Sequence, residues 1–161
     1  MNQPRRAGRR LTLAWSATSE TPAMLKVAFA SDDRLSVNQH FGAAEGFAIY
    51  ALDGERAQLI QLVEFPPETM DGNENKLPAK IAALAGCAAV YCLAAGASAV
   101  KQLLANGIQP VRLDDGVSIE LLLKQISLAL REGGIAWVDK ALRTDRDQAR
   151  FERMLADGWE E

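Results

Sequence analysis

The chain has 161 residues, 48% of them hydrophobic and 24% charged, with a formal net charge of −3. That is the size and make-up of one globular domain, able to bury roughly 68–70% of its unfolded surface without covalent staples. Its mildly acidic balance lacks the basic face that displaces counterions from nucleic acid, no run of ~18 apolar residues is present to span a membrane, and the two cysteines, Cys87 and Cys92, are too few for a disulfide scaffold and point to the cytoplasm.

Residues 1–24 carry four Arg and one Glu. The apolar run Leu11–Trp15 that follows the arginines is shorter than the roughly 7–15 residues of a signal peptide. This stretch reads as a basic N-terminal tail, either flexible or adding Leu11–Trp15 as an edge strand. Leu25–Ala30 is a short apolar run with strand character, the first strand of a domain predicted over residues 25–140. Ser31–Gly46 is a polar loop with room for a short helical turn. Phe47–Leu52 is the second strand, Asp53-Gly54 a hairpin signal, and Leu59–Phe65 the third strand, stopped by Pro66-Pro67.

From there the period lengthens. Leu77, Ile81 and Leu84 mark a helix with Pro78 in its first turn. Ala88–Leu93 is apolar on both faces, as in a central strand covered by helices. Val100, Leu103 and Leu104 mark a second helix that ends at Asn106-Gly107. Val111–Leu113 is a fifth strand, and Asp114–Gly116 a turn. Ile119, Leu122, Leu123, Ile126 and Leu130 form a third helical stripe behind the N-cap candidate Ser118, and Gly133-Gly134 ends it. Residues 141–161 read as a helical extension with Phe151, Met154, Leu155 and Trp159 at helical spacing. That stripe either packs back on the domain or receives a partner.

The order β-β-β-α-β-α-β-α predicts an α/β fold: a mixed five-stranded sheet in spatial order 3-2-1-4-5 with helices on both faces, because the later strands need right-handed crossovers. Ligands of such sheets bind beyond the carboxyl ends of the strands, where the direction of winding changes. Here that crevice is predicted between the loop Ser31–Gly42, which holds the only imidazole, His40, and the turn Ala94–Ser98, which opens the second helix. The free N–H groups and positive dipole end of that helix favour an anion, and Gly96 lets a ligand approach the backbone.

Several chemistries find little support. One His and two Cys at this spacing build neither a zinc site nor a closed metal cage. Cys87 and Cys92 read as buried structural thiols, on opposite faces if the strand ran unbroken between them. Two-metal nuclease chemistry needs carboxylates on the central strands. Asp32 and Asp33 lie beyond the first strand and read as loop-capping or solvated. No phosphate-binding loop or dinucleotide fingerprint is present. A single imidazole can still offer one bond to a metal centre that brings its other ligands.

The segments Val27–Ser31, Val37–Ala44 with its His40-Phe41-Gly42, Phe47–Tyr50, Gly86–Cys92, Gly96–Ala99 and Leu103–Pro110 together resemble the dinitrogenase iron–molybdenum cofactor biosynthesis family, and most closely its small stand-alone carriers. The resemblance covers residues 25 to about 138 and implies an RNase H-like fold, no catalysis, and transient binding of an iron–sulfur cofactor precursor (NifB-co type) or of iron–molybdenum cofactor. It implies nitrogenase cofactor assembly proteins as partners, namely the cofactor scaffold complex and the precursor synthase. On this reading His40 is the metal contact, Phe41 and Gly42 orient it, Gly96, Ala97 and Ser98 stabilise negative charge, and Ser31, Arg34 and Lys101 complete the binding set. A permanent iron–sulfur site uses about four Cys thiolates, whereas a carrier must let go. A small-molecule or phosphate-binding regulatory module is the alternative, and a metal-dependent nuclease the third reading.

Overall fold

Apolar residues on both faces of β1 (Leu25–Ala30) make it the centre of the sheet: Val27 to Ala30 are fully buried. The structure, a computed structural model, describes residues 24–65 and 73–158, so the proposed edge strand Leu11–Trp15, Pro66-Pro67 and Trp159 lie outside the described residues. After β1 come β2 (Ser36–Val37), β3 (Gly46–Leu52), β4 (Ala57–Glu64), α1 (Asn73–Ala83), β5 (Ala89–Cys92), α2 (Ala97–Ala105), β6 (Gln109–Arg112), β7 (Val117–Ser118), α3 (Ile119–Glu132) and α4 (Ala136–Gly158).

The main sheet is mixed, in the order β4-β3-β1-β5-β6. β1 pairs antiparallel with β3, from Leu25↔Leu52 to Ala30↔Phe47, and parallel with β5. β3 pairs antiparallel with β4, across a bulge beside Ile49 and Tyr50, and β5 runs parallel to β6. Strand alternation divides the core. Ala28, Ala30, Ile49, Val90 and Cys92 meet Ile81 of α1, Leu84 just past its end, and Ala99 and Leu103 of α2. On the other face Val27, Phe29, Ala89 and Tyr91 meet Ile119, Leu122 and Ile126 of α3 and Val138 of α4. Phe29 is held there between Tyr50 and Tyr91, with ring centroids 5.8 and 5.4 Å away.

Helix ends follow local chemistry. At the end of α2, Ile108 N–H donates to Leu103 O (2.9 Å) and Gly107 N–H to Leu104 O (3.0 Å), with Gly107 at φ +76°. This paired closure needs a left-handed residue, which glycine adopts without strain. Ser118 Oγ accepts from Leu121 N–H (3.3 Å) and caps α3.

Some expectations change. Residues Asn73 to Lys76 are polar and carry no apolar period, so α1 begins four residues before Leu77 and Pro78 sits inside it rather than in its first turn. β6 starts at Gln109 rather than Val111; as the outermost strand it tolerates Pro110, which cannot donate to a neighbour. The 31–46 loop holds a turn at residues 41–43, closed by Ala44 N–H donating to Phe41 O (3.3 Å), and also a ladder not expected: Ser36 and Val37 pair antiparallel with Ser118 and Val117, two residues being too short to leave a pattern in the sequence. Cys87 and Cys92 share one core rather than opposite faces, because Cys87 precedes the strand and closes the turn after α1, its N–H bonded to Leu84 O (3.0 Å). α4 packs through Trp137, Val138, Ala141 and Leu142, and then every residue from Arg143 to Ala156 is exposed. Phe151, Met154 and Leu155 therefore do not pack back on the domain. Among the described residues no helix is long and apolar enough to cross a membrane.

Candidate functional site

The loop that leaves β1 is built by its own polar side chains. Asp33 Oδ1 accepts from Leu35 N–H (2.8 Å), Ser36 N–H (3.0 Å) and Ser31 Oγ (3.0 Å). These bonds, the one from Leu35 foremost, hold its carboxyl below the usual aspartate value. Asp32 and Asn38 exchange two hydrogen bonds, of 3.2 and 2.8 Å. Both carboxylates thus serve the loop's own architecture.

The second half of the loop is fastened to the end of β5. Leu93 N–H donates to Gln39 O (3.0 Å), and Phe41 N–H donates to Ala94 O (2.7 Å). His40 stands between these two bonds and is exposed, as are Gly42 and Ala43. The Phe41 ring is fully buried, 5.5 Å from Phe47 centroid to centroid. An apolar anchor and two backbone bonds thus hold an imidazole out to solvent beside the segment that leads into α2.

That segment supplies the second half of the site. Gly96 caps α2 without any side-chain hydrogen bond, its carbonyl accepting from Val100 N–H (2.9 Å). No side chain thus caps the first turn, whose N–H groups have no partner within the helix. Gly96, Ala97 and Ser98 are exposed. The backbone at Gly96 (φ −70°, ψ 166°) is open to any residue, and a side-chain carbon there would meet no atom within 4 Å. The chain's own packing therefore does not require glycine at this position, and open space faces it. Ser98 Oγ accepts from Gln102 Nε2 (3.1 Å), and Lys101 lies exposed one turn further along.

Not every expected residue gathers here. The Ser31 hydroxyl is spent inside the loop: it donates to Asp33 and accepts from Arg34 N–H (2.8 Å), and Ser31 is 4% exposed. Arg34 pairs with Glu64 at the end of β4 (2.9 Å). Both line a separate open cleft of about 260 Å³ on the β3–β4 side. Lys80 went unrecognised in the sequence. It is 1% exposed, donates to Gly42 O and stands 5.8 Å from the centroid of the Phe65 ring. The signal was present: Lys80 falls three residues after Leu77 and four before Leu84, a charge on the apolar stripe of α1.

The thiols take no part in this site. Burial pushes Cys87 and Cys92 up from an ordinary value of 9.0 to about 11, so both are protonated near neutrality. A metal–sulfur centre is ligated by thiolate, not thiol. Native protein is expected to resist a thiol-specific disulfide reagent at neutral pH and to react at both positions once unfolded; reaction of the native chain would refute the assignment. Because the folded values exceed the unfolded ones, this contribution to stability is complete below pH 9 and is lost as the pH rises toward 11. Denaturation midpoints between pH 8 and 11 check the sign. Among the described residues no group of three or more His, Cys, Asp or Glu could hold a metal ion. What the described residues offer is one exposed imidazole on a loop fastened to the segment that leads into α2.

Residues 24–128 match the family described as dinitrogenase iron-molybdenum cofactor. The chain is 51% identical over 140 residues to protein NifX of Azotobacter vinelandii, covering 86% of this chain and 89% of that protein. It is 37% identical to protein NifX of Klebsiella pneumoniae, over 81% of each. The crystal structure of PH0822 superposes with a TM-score of 0.51 at 27% identity, covering 64% of this chain and 88% of that one.

Proposed function

The chain belongs to the dinitrogenase iron–molybdenum cofactor family, and from that premise we propose that it is a carrier without chemistry of its own, which holds an iron–sulfur cofactor precursor of the NifB-co type or the finished iron–molybdenum cofactor while it passes between nitrogenase cofactor assembly proteins. The strand order, with three antiparallel strands followed by two parallel ones, supports reading the fold as RNase H-like.

The observation that carries the proposal is the fastening of the His40 loop to the end of β5 by the Leu93–Gln39 and Phe41–Ala94 bonds. It brings the loop that carries the exposed His40 to the segment that leads into α2, which supports reading the imidazole and the helix start as one site. The cargo arrives assembled and anionic. His40 supplies a single exchangeable bond to one of its metals through a neutral ring nitrogen. The N–H groups of Ala97 and Ser98, backed by the positive end of α2, stabilise its negative charge. Gly96 and Gly42 leave space for a bulky cluster, and Lys101 adds attraction from the next turn. One bond and a set of weak donors suit reversible holding, where four thiolates would trap the cargo.

The test is anaerobic incubation with isolated iron–molybdenum cofactor, followed by gel filtration and electron paramagnetic resonance of the protein fraction. Wild type is expected to carry the cluster, and His40→Ala to lose affinity by about 10–100-fold, the scale seen when a metal site is disturbed. Equal affinity in the variant would remove His40 from the site, and a wild type that emerges without metal would remove the carrier reading.

A further inference from the structure

We infer that Lys80 is a positioning residue for this cargo site, a role that deepens the carrier reading and rests on it. A buried ammonium is costly unless it is satisfied, so its place needs a reason. Lys80 reaches from the face of α1 to the carbonyl of Gly42, two residues beyond His40, and its charge lies over the Phe65 ring. The exposed turn His40–Ala43 is thereby held at both ends. Phe41 N–H ties one side to Ala94, and Lys80 ties the other to α1. Gly42 contributes no side chain that could anchor itself, and a side-chain carbon there would meet nothing within 4 Å. The turn is also closed on itself, by Ala44 N–H donating to Phe41 O (3.3 Å) and Glu45 N–H donating to Gln39 Oε1 (2.9 Å); the lysine ties it to α1, and without that tie the imidazole loses the fixed direction from which it offers its lone pair.

A ring held in one orientation loses less freedom on binding, so its contact is stronger and slower to break. Lys80 therefore sets how long cargo stays. The same bond makes the loop and α1 one mechanical unit, so occupation of the site is felt along the helix.

The single histidine makes this measurable without cargo. The imidazole of the wild type is expected to give one sharp set of nuclear magnetic resonance signals. Lys80→Met keeps the length and the apolar contacts but donates no bond, and should broaden or split them. Lys80→Arg retains a donor and should restore one set. In a transfer assay from preloaded protein, Lys80→Met should release iron–molybdenum cofactor about tenfold faster, and Lys80→Arg at close to the wild-type rate. One sharp set and unchanged release in Lys80→Met would overturn the proposal. So would an arginine variant as broadened and as fast as the methionine one, since that is the pattern of a purely structural lysine. If Lys80→Met does not fold, hydrogen exchange of the wild type decides: cargo should slow exchange in residues 39–44 and in 77–83 together, and protection confined to the loop refutes the link. Because the imidazole signals are read on empty protein, failure here is distinct from failure of the carrier reading.

Discussion

Phe41→Ala is expected to lower the free energy of unfolding by about 3–5 kcal/mol and to abolish cargo retention even at temperatures where the variant is still folded. The ring is fully buried against Phe47, which itself meets Phe65 edge-on at 6.1 Å, so truncation opens a cavity that rigid neighbours cannot fill. The functional part follows from where the backbone goes. Phe41 is the only fully buried side chain in the exposed turn His40–Ala43, and its N–H makes the bond to Ala94. Without its anchor the turn can drift from β5 and carry His40 with it. Denaturant titration gives the first quantity, and retention of preloaded cluster on a desalting column gives the second. A destabilised variant that keeps its cargo would show that the ring's burial has nothing to do with presenting the imidazole.

Phe29→Ala is expected to cost a similar 3–5 kcal/mol and to leave retention intact wherever the protein is folded. Phe29 is also fully buried, stacked on Tyr91 and edge-on to Tyr50, but on the opposite face of the sheet, under α3. The two variants thus match in size of cavity and loss of aromatic contact and differ in what lies above them. If Phe29→Ala loses cargo as completely as Phe41→Ala, retention tracks global stability and the local account of the loop fails.

Much of this arrangement is legible in the sequence because it is written in apolar period. Leu25–Ala30 is apolar but for Lys26 and Ala88–Leu93 is apolar throughout, and the structure sets both in the middle of a mixed sheet. Asn106-Gly107 and Ser118 announce helix ends by their own side-chain and backbone preferences, and both are realised as such. The pieces that escape are those decided by distant neighbours. β2 and β7 are two residues each and exist because residues 36–37 and 117–118 meet in space. Whether Arg34 turns toward His40 or toward Glu64 depends on a left-handed backbone at φ +66° that no pattern reveals. The face Cys87 takes relative to Cys92 hangs on the turn that precedes the strand, which spacing along a continuous strand does not describe. Lys80 escaped although the charge sits in plain view on an apolar stripe: its contact with the Gly42 carbonyl is decided by a loop distant in sequence.

The early turns of the C-terminal helix stand at the other pole of the molecule from His40. Those turns, with Lys26, Ala88 and Gln109, border an open cleft where β1, β5 and β6 begin, whereas the imidazole lies past the point where β1 and β5 finish. The six residues of β1, at roughly 3.3 Å each, put ~20 Å between these poles. Anything that binds in that cleft, against the early turns of α4, leaves the opposite pole unshadowed. Delivery and receipt can then overlap in time, as in a relay whose runners grip different ends of the baton.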